Sequence, residues 1–210
     1  MKPMPLSRIT SIFNRCLQLF MALLALGFLA GCETTDVQSE KVVTGGKVGV
    51  GTWSTRAEFK DIRVTSSDGQ IFQCEISEGL SSWERYRGKW TAVDGVLQQS
   101  SLRENTRAVL AGSLPWTDYT LELKARKLGG SEGFLILFGM PAADAPVFSW
   151  WNLGGWGNSA YAIQSPGIAE ERVPGGIEEN RWYDIKVVIS GVTIETYLDG
   201  ELIQTAQRTS

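Results

Sequence analysis

Histidine does not occur anywhere in the 210 residues. Its absence removes the commonest transition-metal ligand, the usual base of Ser and Cys nucleophile systems, and the side chain that titrates near neutrality. Any catalysis would have to rest on carboxylates, Lys, Tyr or Cys. An excess of positive charge is missing too: 20 Lys and Arg stand against 23 Asp and Glu, for a net charge of −3. Phosphate backbones demand a basic footprint, so nucleic acid is excluded as a partner. Cysteine is scarce, with only Cys16, Cys32 and Cys74. Helical periodicity is lacking beyond the first thirty residues, and no repeat recurs at a period of 20 to 50. Bundles, α/β barrels and solenoids are therefore excluded.

The amino terminus reads as a targeting segment. Lys2, Arg8 and Arg15 precede an apolar run from Cys16 to Ala30, which ends in Leu29-Ala30-Gly31-Cys32. The run is shorter than the roughly 20 residues of a spanning helix. Its small residues followed by Cys resemble the lipobox of bacterial lipoproteins, in which Cys32 becomes the lipidated first residue after cleavage. A plain secretory signal or an uncleaved anchor are the alternatives. The expected organisation is a signal peptide over 1–31, a lipidated Cys and polar tether over 32–47, and a folded domain over 48–210. The protein is expected in the cell envelope as a monomer tied to the membrane by its lipid. Glu33 in place of Asp favours the outer membrane of a two-membrane cell. Cys74 would then have no disulfide partner. It alternates with Phe72 and Ile76, and reads as a small buried hydrophobe.

From Val48 onward the chain is strand-like. Asp118–Arg126 alternates strictly, with Tyr119, Leu121, Leu123 and Ala125 on one face. Trp182–Ser190 turns Tyr183, Ile185, Val187 and Ile189 inward, and Val192–Leu198 repeats the period with Val192, Ile194, Thr196 and Leu198. Residues 133–139, Gly-Phe-Leu-Ile-Leu-Phe-Gly, are apolar on both faces and predict a central strand. Asp68-Gly69, Asp94-Gly95 and Asp199-Gly200 predict two-residue hairpins in which both residues take positive φ. The fold class is all-β, with ten to thirteen short strands in a two-sheet jelly-roll sandwich.

One stretch carries most of the chemistry. Residues 150–158, Trp-Trp-Asn-Leu-Gly-Gly-Trp-Gly-Asn, hold three of the eight tryptophans and three glycines. Indole faces pack on the C–H faces of sugar rings, and Asn, Gln, Arg and carboxylates fix hydroxyls. The predicted carbohydrate-binding residues are Trp151, Asn152, Trp156, Asn158 and Tyr161, joined by Trp83 and Arg85 from a second polar aromatic segment. Trp150, Gln164 and Tyr86 are further candidates, and Arg107 and Glu132 could complete a polar rim. Trp53, Trp90, Trp116 and Trp182 read as core residues in phase with their strands. No cofactor is indicated, and nothing points to a structural Ca²⁺.

Residues 48–64, together with Trp116-Thr117-Asp118-Tyr119-Thr120, Glu132-Gly133-Phe134-Leu135-Ile136 and 151–158, resemble accessory regions of bacterial alpha-L-arabinofuranosidases of glycoside hydrolase family fifty-one. That resemblance implies a concanavalin A-like (laminin-G-like) sandwich that binds an oligo- or polysaccharide. The catalytic barrel of those enzymes needs about 250 residues, which this chain has neither the room nor the pattern to form. In the resembled modules the stretch around Trp53 closes the sandwich from the carboxy-terminal side. The simplest account of the different order here is a circular permutation, with residues 48–64 packed in one sandwich with Val192–Ala206; the alternative is a loose remnant of a second, lost module. Trp90-Thr91-Ala92-Val93-Asp94-Gly95-Val96-Leu97 is similar to segments of 3-keto-disaccharide hydrolases, whose chemistry is done on the sandwich itself. An enzyme of that kind would draw on Glu84, Glu104, Glu132, Glu170 or Glu171. A structural lipoprotein that docks a partner protein is the third reading, and it would need an exposed apolar patch without a polar rim.

Overall fold

The computed structural model describes residues 45–74, 76 and 79–208. Cys32, the signal segment and most of the tether lie outside them. Two antiparallel sheets form a sandwich. One contains, in spatial order, β12 (Val173–Pro174), β11 (Ala160–Gln164), β10 (Ser149–Gly154), β9 (Phe134–Met140), β1 (Lys47–Thr52), β7 (Thr106–Leu110) and β4 (Trp83–Tyr86). The other runs β15 (Glu201–Gln207), β14 (Thr193–Leu198), β13 (Trp182–Ser190), β8 (Tyr119–Gly130), β2 (Thr55–Ser66), β6 (Val96–Gln99) and β5 (Trp90–Val93), with β3 (Ile71–Gln73) paired to β2. The fifteen strands among the described residues exceed the expected ten to thirteen because β3 and β12 are pairings of three and two residues that periodicity cannot reveal.

Alternation explains the layers. Phe134, Ile136 and Phe138 of β9 join the main core between the sheets. Leu135, Leu137 and Met140 point the other way, into a smaller cluster with Val109 and Ala143 that is covered by Tyr86, Phe148 and Trp150. A strand apolar on both faces thus fills two cores, and each fully buried side chain contributes about 1.5–3 kcal/mol. In β2 the inward phase changes midway: Ala57 and Phe59 are buried, then Ile62 and Val64. The step falls at Asp61, whose φ is 54°, where the register with β8 shifts between Lys60 and Arg63. It is a bulge, one extra residue absorbed to keep both halves facing the core.

Residues 48–64 and Val192–Ala206 do lie in one sandwich, β2 sharing a sheet with β14 and β15. Among the described residues, pairing is already present at the Gly46 to Leu114 bridge, slightly before the expected start at 48. Asp94-Gly95 and Asp199-Gly200 take positive φ at both residues, as the turn chemistry requires. At Asp68-Gly69 only the glycine does. There the loop is longer: Gln70 N bonds Ser66 Oγ at 2.9 Å, and the Ser66 hydroxyl donates to the Asp68 carboxylate. Val192, expected inward, is 52% exposed because it occupies the turn before β14. Cys74 is buried. No helix among the described residues is long and apolar enough to cross a membrane.

Candidate functional site

In β10, Trp151 and Leu153 point into the core, while Trp150 and Asn152 lie on the outer face of the seven-stranded sheet. The chain then leaves the sheet through a left-handed turn: Gly154, Trp156, Gly157 and Asn158 have φ of 69°, 52°, 71° and 63°. Glycine adopts this freely and Asn tolerates it, but for Trp it stores about 1–3 kcal/mol of strain. The turn is held from outside. Asn158 Nδ2 donates to Ile177 O at 3.0 Å and its Oδ1 accepts from Ile177 N at 2.8 Å. Gly157 N reaches Glu132 Oε1 at 3.4 Å. Trp156 is left half-exposed, with the Arg172 guanidinium 4.0 Å over its ring.

A polar ladder links this ring to a second aromatic group. Arg172 Nε donates to Glu170 Oε1 at 2.9 Å, and Gln164 Nε2 to Glu170 Oε2 at 2.6 Å. Trp150 Nε1 in turn donates to Gln164 Oε1 at 2.6 Å. Trp150 is flanked edge-on by Phe148 at 4.7 Å and Trp53 at 6.3 Å. The result is a strip of half-buried aromatic rings separated by fixed donors and acceptors, running from Trp53 to Trp156. Beneath its Trp53 end, Gln99 Nε2 donates to Thr52 Oγ1 and Thr55 O, both at 2.8 Å, and the Thr52 and Thr106 hydroxyls lie 2.8 Å apart. These groups are fully buried, and their satisfied bonds stiffen the loops above.

The predicted residues separate accordingly. Trp151 is wholly buried, Trp83 is 5% exposed and Tyr161 7%, so these three are core and offer no face to a ligand. Tyr161 donates to Gly176 O at 2.8 Å, and its ring fills the space a Cβ on Gly175 would need. Asn152 is 9% exposed and packs against Gly155, and Asn158 is engaged with Ile177. Both shape the turn that carries Trp156. Arg85 is exposed on β4, four strands from β10 and thus roughly 19 Å away. The structure does not bring it, or Trp83, to Trp156.

Trp90 is core and Trp116 packs against the core, as expected. Trp53 and Trp182 are not core. The inward phase of β1 is Val48, Val50, Thr52, and that of β13 starts at Tyr183, so both tryptophans fall on the outward phase. That signal was present in the sequence. Trp182 accordingly lies outside the eight-stranded sheet between Lys60 and Arg126, each 4.7 Å from its ring. Phe148 and Arg172 carried no local pattern that would have marked them.

Among the carboxylates, Glu84 pairs with Lys47 and Glu170 with Arg172, while Glu104 and Glu171 are exposed. Glu132 differs. Burial pushes its carboxyl above the ordinary range, against the lowering effect of the Gly157 amide; Glu104 adds to the rise and Lys127 opposes it. A group with a raised folded-state pKa adds stability below the usual carboxyl range and loses it as pH climbs through the raised value. Glu132→Gln is therefore expected to have a higher urea midpoint than the parent at pH 7. That advantage should vanish toward about pH 4. An advantage that persists or grows on acidification would refute the assignment. No set of three or more His, Cys, Asp or Glu among the described residues is placed to hold a metal ion.

No known protein-family profile matches the chain, and no solved structure does. The chain is 37% identical over 168 residues to an extracellular exo-alpha-L-arabinofuranosidase of Streptomyces chartreusis. The match covers 74% of this chain and 19% of that protein, so the similarity is to one part of a much longer enzyme.

Proposed function

We propose that the chain is a non-catalytic carbohydrate-binding module of concanavalin A-like type, carried on an exported, lipid-anchored protein. The observation that carries this reading is Trp156, a strained, half-exposed indole held by a left-handed turn and backed by Arg172. Backbone strain of that kind persists where the surroundings enforce it, and it gathers at ligand sites. The ladder of Glu170, Gln164 and Trp150 supplies donors and acceptors beside the ring, which is what a sugar needs at its edges. Similarity to part of an extracellular arabinofuranosidase supports the ligand class and an extracytoplasmic setting. The Leu29-Ala30-Gly31-Cys32 sequence supports the anchor at Cys32.

A stacked ring adds about 0.5–1.5 kcal/mol beyond its buried area. Affinities in the micromolar to millimolar range follow, about −8 to −4 kcal/mol. Retention on a panel of immobilised plant and microbial polysaccharides tests the reading. Trp156→Ala should lose about tenfold or more in retention while its melting temperature stays close to that of the parent, because the ring is half-exposed and alanine keeps the same backbone conformation. A parent that binds no glycan, or a variant that binds as well, would reject the module.

The second reading, a hydrolase of arabinofuranosides or 3-keto-disaccharides, draws on Glu132, a carboxyl raised by burial beside the Trp156 turn. A general acid needs such a shift. Sugar release that disappears in Glu132→Gln would favour it over simple binding.

A further inference from the structure

The opposite edge of the same sheet holds a different chemistry. Arg107 is 2% exposed, with its guanidinium 4.4 Å from the Tyr86 ring and 4.2 Å from Phe148. Nη1 donates to Ala145 O at 2.9 Å, and Nε has no partner. No carboxylate among the described residues pairs with it. Arg87 lies 4.9 Å from the same Tyr86 ring, and Arg85 lines a hollow of about 650 Å³ with Tyr86, Glu84, Ala143 and Asp144. Neither Arg85 nor Arg87 makes an ion pair among the described residues. Arg63, Arg126, Arg172 and Arg181, by contrast, are paired, with Glu122, with Glu58, with Glu170, and with Glu178 and Asp199. Of the two acids at the hollow, Glu84 is committed to Lys47, and Asp144 stands exposed at the lip.

We propose that this edge is a second subsite, selective for carboxylate-bearing sugars, in which Arg87, held against the Tyr86 ring, takes the uronate carboxylate with Arg85 at the lip. The proposal rests on the carbohydrate-binding reading. A planar guanidinium receives a carboxylate through two parallel bonds, which a hydroxyl or an ester cannot match. Arg107 lies against the same ring, where its charge, offset in part by Asp144, acts through a medium less polar than water and reinforces the attraction. Asp144 opposes the ligand charge and limits the affinity.

Binding of the full chain to polygalacturonate, its fully methyl-esterified form, neutral arabinan and dextran sulfate tests this. Polygalacturonate should bind about tenfold tighter than its ester, the worth of one charge-assisted pair. Arg87→Ala should abolish that preference and leave arabinan binding unchanged, and Asp144→Asn should strengthen it. Both residues are on the surface, so folding is not at stake. Equal binding of acid and ester, or an Arg87→Ala variant that keeps the preference, overturns the subsite while the module stands if arabinan is bound. Tighter binding of dextran sulfate than polygalacturonate overturns the uronate class in favour of sulfate. Binding of none of the four overturns the subsite, and retention on the wider polysaccharide panel then decides the module reading separately.

Discussion

Removal of residues 45–66 is expected to leave a chain with no cooperative unfolding transition. The segment contains β1 and β2, which are interior strands in both sheets. β1 pairs with β7 and β9, and β2 with β6 and β8. Deletion would strip main-chain partners from five strands at once, β3 included, and remove Val48, Val50, Ala57, Phe59, Ile62 and Val64 from the core. At about 1.5–3 kcal/mol for each of the larger side chains, the loss matches the whole stability of a typical domain, about 5–15 kcal/mol. Circular dichroism on heating decides it. A cooperative melt near the parent midpoint would mean that these strands are dispensable. Deleting the edge strand β15, whose residues are mostly half-exposed or exposed, should be far milder.

Trp151→Ala should be the most damaging single substitution in the Trp-rich stretch, at about 3–5 kcal/mol. Trp151 is among the largest fully buried side chains and packs edge-on to Tyr161 at 6.4 Å. For a domain of this size the melting temperature would fall by about ten degrees or more. Its Nε1 is buried without a hydrogen-bond partner, so part of the gain from burial is already offset. Trp151→Phe keeps most of the apolar volume and drops the unsatisfied N–H, and should cost much less than alanine. Equal losses for Phe and Ala would show that a bond to the indole N–H matters after all. Five residues on, Trp156→Ala should scarcely move the melting temperature. Two tryptophans in one short stretch are thus expected to divide between stability and the proposed recognition of sugar.

Period-two alternation in β8, β9 and β13 placed the core correctly, because one-residue slips would expose every apolar side chain. Trp53 and Trp182, expected in phase with the core, instead fall one step out of phase with Thr52 and Tyr183 and so lie on the outer faces. In the stretch 150–158, composition suggested a sugar surface but could not say which indole faced solvent. That choice depends on β10 pairing with β9 through Trp151 to Ile136, which fixes Trp151 inward, and on the left-handed turn that ejects Trp156 from the strand.

By itself, then, the sequence determined the all-β class, the two Asp-Gly turns with two positive φ angles, and the absence of histidine chemistry, since each depends on residues close together in the chain or on composition alone. Only the tertiary structure decided which polar groups meet. Arg172 stacks on Trp156 from sixteen positions away, Gln164 bridges Trp150 to Glu170 across a strand pair, and Arg107 is enclosed by a loop almost forty residues later. Such contacts are set by strand order and by where each loop returns to the sheet. Side-chain periodicity records which face a residue occupies, and it holds no information about which distant strand lies beside it.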